Sequence, residues 1–173
     1  MRSVKLAALF ALIAAVVVAL DQWSKALTRS HIELGERLGF IPGVLDLTHI
    51  QNRGAAFGML QGYAVQLAIV AAVVVLALAF VVIARRKTTL VEVVAFGLIV
   101  GGAIGNLIDR ITQGYVTDMI MTTFIDFPVF NVADSAVTVG TILFVVWAFF
   151  FGIRETPEVV AVPEDSDEGI VDG

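Results

Sequence analysis

The sequence predicts an all-α polytopic membrane protein: four transmembrane helices with both termini cytoplasmic, and a small β platform on the outer membrane face. Three observations carry this. The 173 residues are 58% hydrophobic with a mean hydropathy of +0.92, well above the roughly half-apolar mixture of a soluble domain. Four apolar stretches approach the ~20 residues that a helix needs to cross ~30 Å of hydrocarbon. The basic residues cluster beside alternate helix ends.

The stretches run over about 6–26, 63–84, 90–110 with an extension toward 118, and 133–153. The first has Arg2 and Lys5 as a basic flank, as a cleaved signal peptide would. Its length, the lack of a clear small-residue cleavage site and the charged Asp21 and Lys25 that follow favour a retained helix. Lys and Arg are held on the cytoplasmic side. Arg2 and Lys5, the run Arg85-Arg86-Lys87, and Arg154 then put both termini inside, with 28–62 and about 111–132 outside. Arg29, Arg37, Arg53 and Arg110 run against this trend.

The outer segment 28–62 contains "VLDLTHIQN", Val44 to Asn52, with partial period-two alternation between Pro42-Gly43 and Gly54. It reads as a strand beside a turn, and "FPVFNV", 127 to 132, as another candidate. Residues 155–173 hold seven of the 16 acids and no base, leaving 11 bases against nine acids before them. This tail reads as a disordered cytoplasmic end, distinct from a 1–154 membrane domain. Cysteine is absent, which excludes disulfides and thiolate chemistry.

Gly97, Gly101 and Gly105 recur every four residues, a stripe that lets another helix approach closely. Asp109 continues it and must face protein. Asp21 and Lys25, also four apart, can form an ion pair on one helix face; Lys25 and Arg29 can alternatively reach headgroups, with Trp23 as an interfacial anchor. Asn106 and Arg110 share a face, and Arg110 is expected to neutralise Asp109 in a buried network. Asn52 and Arg53, in "QNRGAAFG", serve either a plain glycine turn or the grip of a peptide main chain or lipid phosphate. His31 and His49 have no acid at a metal-ligand spacing, so they read as ordinary residues and no metal is expected.

Asp134, Thr138 and Thr141 fall at i, i+4 and i+7, a polar stripe expected to point into the bundle. Asp134 can also cap that helix. With Asp118 closing the third helix and Asp134 opening the fourth, the intervening hairpin can unite the two carboxyls. Such a pair shares a proton and can activate water with one member while protonating with the other. On this placement, the positive N-terminal helix end favours an ionised Asp134, and the C-terminal end a protonated Asp118.

Four strings, "DQWSK" (21–25), "QNRGAAFG" (51–58), "GNLIDRITQGYVTD" (105–118) and "FNVADS" (130–135), occur in this order across four helices. In this the chain resembles bacterial lipoprotein signal peptidase (signal peptidase II), an inner-membrane aspartyl endopeptidase. The resemblance implies that Asp118 and Asp134 are the catalytic dyad, with Asp21, Lys25, Asn52, Asn106, Asp109, Arg110, Asn131 and Ala133 in support. It implies a diacylglyceryl-modified prolipoprotein as substrate, cut just before the modified cysteine, and no metal or cofactor. Membrane lipids are expected partners, nucleic acid is not, and a monomer suffices. Two rivals remain: a transporter, disfavoured by four helices without an inverted repeat, and an assembly protein held by the glycine stripe, which leaves the second acid unexplained.

Overall fold

The computed structural model describes residues 2–54, 60, 62–84 and 88–151. The run Arg85-Arg86-Lys87, most of the "GAAFG" loop, Arg154 and the acidic tail lie outside the described residues. The elements are α1 (Arg2–His31), β1 (Arg37–Ile41), β2 (Leu45–Asn52), α2 (Ala64–Ala84), α3 (Leu90–Gln113), β3 (Val116–Thr122) and α4 (Val132–Phe151). All four helices are long and apolar enough to cross a membrane, and their outer faces carry large apolar side chains such as Leu76, Phe80 and Phe149. The polar groups Asp21, Lys25, Asp109 and Asn131 are fully buried instead. That inversion is the arrangement lipid demands, since unpaired polar groups are costly there.

Helix α3 packs against the other three helices, and its glycines explain how. A Cβ on Gly97 or Gly101 would press on Ile13 or Val17 of α1, and one on Gly105 would lie 2.5 Å from Asp21 Oδ2. Gly102 meets the backbone of Ala133 at the start of α4. The expected stripe therefore joins α3 to α1.

Two boundaries differ from the sequence reading. α1 runs on to His31, and α3 stops at Gln113 instead of continuing to Asp118. Thr89 and Glu92 form a capping box at the start of α3. At its end Gly114 turns left-handed, with φ 75°, and its N–H closes on the Arg110 carbonyl. This glycine stop, followed by the β-branched Val116 and Thr117, converts the next segment to strand. Asp118 thus lies on β3, which removes the helix-end argument for its protonation.

The three strands form an antiparallel sheet in the order β1-β2-β3. Val44 to Asn52 is indeed strand from Leu45, whereas 127–132 contributes only an isolated bridge between Ile120 and Phe130. Ile50 pairs with Asp118 and Asn52 with Val116, so Asn52 and Asp118 share a face as diagonal neighbours. The Ile120–Phe130 bridge brings Asn131 alongside Asp118.

Candidate active site

Asp118 on β3 and Asp134 in the first turn of α4 line one cavity of about 670 Å³. Asn52, Asn106 and Arg110 line it too, with apolar walls from Leu67, Val70, Phe130 and Val137. The bundle, the sheet and the bridge together unite two acids from separate elements.

Asn131 is the N-cap of α4. Its Oδ1 accepts the Asp134 N–H at 2.9 Å, and Asp134 Oδ2 accepts the Asn131 N–H at 3.2 Å. This reciprocal arrangement is a capping box built from Asn and Asp, so the expected capping role of Asp134 and its place in the cavity coexist. The Ala133 N–H is satisfied by Asp21 Oδ1 at 2.9 Å. The side chain at 133 can be no larger than a methyl, because Gly102 and Gly105 pack directly on this residue.

Beneath the cavity lies a buried ionic network. Lys25 Nζ sits 2.8 Å from Asp21 Oδ2, 3.2 Å from Asp109 Oδ2 and 2.9 Å from Asn106 Oδ1. Its three N–H bonds therefore meet three acceptors. Gln22 Nε2 adds contacts to Asp21, Asp109 and the Gly105 carbonyl. A buried ammonium is tolerated only with such pairing.

Three expectations change here. Asp109 is neutralised by Lys25, with Arg29 3.9 Å away, and not by Arg110. The Arg110 guanidinium reaches the carbonyls of Asn106 and Gly54, both at 3.3 Å, and borders the cavity. Lys25 is buried and so does not reach for headgroups, and the part-exposed Arg29 donates to Thr117 Oγ1 at 3.0 Å. Nor does the Asp134-Thr138-Thr141 stripe point wholly inward: Thr138 edges the cavity, Thr141 is exposed, and Ala133, Ala136 and Gly140 form the buried face. The small residues win that face because α3 approaches closely there.

Arg53 is exposed after β2, and among the described residues its side chain joins none of the site's hydrogen bonds. His31 is exposed, and His49 Nδ1 binds the Ile32 carbonyl at 3.0 Å, tying β2 to the end of α1. Sequence reasoning missed Gln22, Arg29 and Thr117. Arg29 continues the Asp21-Lys25 spacing at i+8 and was legible by that signal. Thr117, whose N–H is held by Asp109 Oδ2 at 3.0 Å, was hidden by the helical reading of its segment.

Asp118 is 2% exposed. Burial pushes its carboxyl up to about 6; the bond from Asn52 opposes this, the charge of Asp134 adds to it, and Asn131 and Lys25 oppose it. It can therefore exchange a proton near neutral pH.

The family model described as signal peptidase (SPase) II matches residues 13–150. The lipoprotein signal peptidase of Enterococcus faecalis (strain ATCC 700802 / V583) is 44% identical over 138 residues, 80% of this chain and 86% of that one. That of Geobacillus thermodenitrificans (strain NG80-2) is 44% identical over 154 residues, 88% and 94% of the two chains. A solved structure described as a bacterial membrane enzyme, determined by the in meso method at 2.3 Å resolution, superposes with a TM-score of 0.79. It is 35% identical, over 86% of this chain and 92% of that one. With its four helices, three-stranded sheet and carboxyl-bearing cavity, this chain is a multi-pass membrane protein that belongs to the signal peptidase II family, a family of aspartic peptidases.

Proposed function

We propose that the chain is an aspartyl endopeptidase that removes the signal peptide from diacylglyceryl-modified prolipoproteins, with Asp118 and Asp134 as its catalytic dyad. The observation that carries this is the convergence of the two carboxyls on one largely apolar cavity, in a chain of the signal peptidase II family. In the reaction one ionised carboxylate takes a proton from water as its oxygen attacks the scissile carbonyl carbon. The other, protonated, gives its proton to the carbonyl oxygen. On collapse the first acid gives its proton to the departing nitrogen and the second takes a proton from a hydroxyl of the tetrahedral species, so the C–N bond breaks and the pair is again singly protonated. The two acids titrate as a pair, and the shared proton belongs to both.

The cleaved bond lies just before the modified cysteine, where the apolar walls suit acyl chains. The sheet favours an extended peptide because main-chain pairing recognises any sequence. The basic residues in the first turns of α1, Arg2 and Lys5, support an active site at the outer face of the bacterial inner membrane with cytoplasmic termini. Asp21, Lys25, Asn106, Asp109, Asn131 and Ala133 support the dyad, Asn52 and Arg110 border the substrate space, and Arg53 is a candidate contact at its exposed rim. A monomer embedded in lipid contains every group the chemistry uses.

The test is cleavage by purified, detergent-solubilised protein of one prolipoprotein with and without its diacylglyceryl group. Cutting of the modified form, before the cysteine, is the expected result. Failure to cut it, or equal cutting of both, contradicts the proposal.

A further inference from the structure

Three asparagines surround the two carboxyls, and between them they serve every oxygen. Asn52 Nδ2 donates to Asp118 Oδ2 at 2.9 Å and Asn131 Nδ2 to Asp118 Oδ1 at 2.7 Å. Asn106 Nδ2 donates to Asp134 Oδ1 at 2.8 Å, and the remaining oxygen, Asp134 Oδ2, takes the Asn131 backbone N–H at 3.2 Å. An asparagine amide is almost the same shape at both ends, so by shape alone it can turn over and present an oxygen instead.

Each amide here is tied at its oxygen by a group that can only donate. Asn106 Oδ1 accepts from the Lys25 ammonium at 2.9 Å, Asn131 Oδ1 from the Asp134 N–H at 2.9 Å, and Asn52 Oδ1 from the Gly54 N–H at 2.9 Å. Turning any of them would oppose donor to donor at one end and oxygen to carboxylate at the other. The Asn131 Nδ2 contact with Asn106 Oδ1, at 3.2 Å, links two of the three.

We infer that Lys25 and the N–H groups of Gly54 and Asp134 fix the direction of these amides, making Asn52, Asn106 and Asn131 positioning residues that keep the dyad singly ionised and so set the acid limb of its pH–rate profile. The inference rests on the dyad reading. Hydrogen bonds to a charged carboxylate favour that form, whereas burial and the neighbouring acid disfavour it. The bonds from Asn52 and Asn131 to Asp118 act in the required direction. The other charges facing the pair are Lys25 and Asp21 from α1, and Asp109 and Arg110 from α3. Among the described residues none of them bonds a dyad oxygen directly, and Asn106 carries the contact from Lys25 to Asp134.

The test is kcat/KM against pH for cleavage of a diacylglyceryl-modified prolipoprotein by the full chain, its Asn52→Ala, Asn106→Ala and Asn106→Asp variants, and Asp118→Asn. Loss of one donor is expected to move the acid limb upward by about one pH unit in both alanine variants. Asn106→Asp, which keeps the shape but faces Asp134 with an oxygen, is expected to move it further than Asn106→Ala. A purely structural role lowers the plateau and leaves the limb where it was; that result overturns the inference. Asn52 is half-exposed at the end of β2, so its variant decides the matter if those at 106 do not fold. Asp118→Asn separates failure of the dyad from failure of the asparagines' role. If it cleaves normally, the dyad reading itself falls; if it is inactive while the asparagine limbs stay fixed, only this inference does.

Discussion

Lys25 Nζ and Asp109 Oδ2 lie 3.2 Å apart, with neither side chain exposed, on helices separated by more than eighty residues of sequence. This ion pair, shared with Asp21, ties α1 to α3 directly beneath the cavity. Breaking one member leaves an uncompensated buried charge. Asp109→Asn is predicted to lower stability by about 3–5 kcal/mol. Thermal unfolding in detergent checks it, and a variant as stable as the parent contradicts the pairing.

Asp118 carries the opposite signature. Its folded carboxyl holds its proton more tightly than the unfolded chain does, about 6 against an ordinary 3.8. The stabilising contribution of that proton is therefore present below about pH 4 and lost as pH rises through about 6. At pH 8 the ionised group costs the native state about 2–3 kcal/mol. Asp118→Asn is accordingly predicted to unfold at a higher temperature than the parent at pH 8, with the difference closing toward pH 4. A lower unfolding temperature for the variant at pH 8 contradicts this.

Gly105 has no room for a side chain, since a Cβ would lie 2.5 Å from Asp21 Oδ2. Gly105→Ala is predicted to push Asp21 off Lys25 and the Ala133 N–H and to cost about 1–3 kcal/mol. Gly114→Ala meets open space but must hold a left-handed φ, so a smaller loss of about 1 kcal/mol is expected there. Comparing folded yield and unfolding temperature of the two orders the effects, and the reverse order refutes the close-approach account.

Thr117 precedes Asp118 and is fully buried, with its hydroxyl accepting from Arg29 and its N–H held by Asp109. Thr117→Val preserves shape while removing the acceptor. It is predicted to lower stability by about 1–2 kcal/mol. If Arg29→Ala is combined with it, the second loss should be smaller than Arg29→Ala alone, and additivity in that double-mutant cycle argues against the contact.

Much of this was legible in the sequence, for local reasons. The four helices follow from apolar length, the close approach of another helix to α3 from the glycine spacing, and β2 from its alternation. Asp21 and Lys25 pair because four residues on a helix make neighbours. What was not legible depends on distant chain. The partner of Asp109 sits on α1, so its sequence neighbour Arg110 was the natural but mistaken candidate. β1, centred on Gly39, lacks a strand pattern of its own and forms by pairing with β2. Asp118 was misplaced on a helix although Gly114 and the β-branched residues after it carried the stop signal. That the two carboxyls meet on one cavity was nevertheless legible, because it needed only a return of the chain between them.

The proposed catalysis rests on the dyad. Its most direct test is cleavage of a diacylglyceryl-modified prolipoprotein by folded parent, Asp118→Asn and Asp134→Asn proteins in detergent. Each substitution removes an ionisable carboxyl while keeping its shape, and each is predicted to lower kcat by at least about 10³-fold. Near-parental turnover by either variant would contradict the assignment of these two residues as the proton-transferring pair.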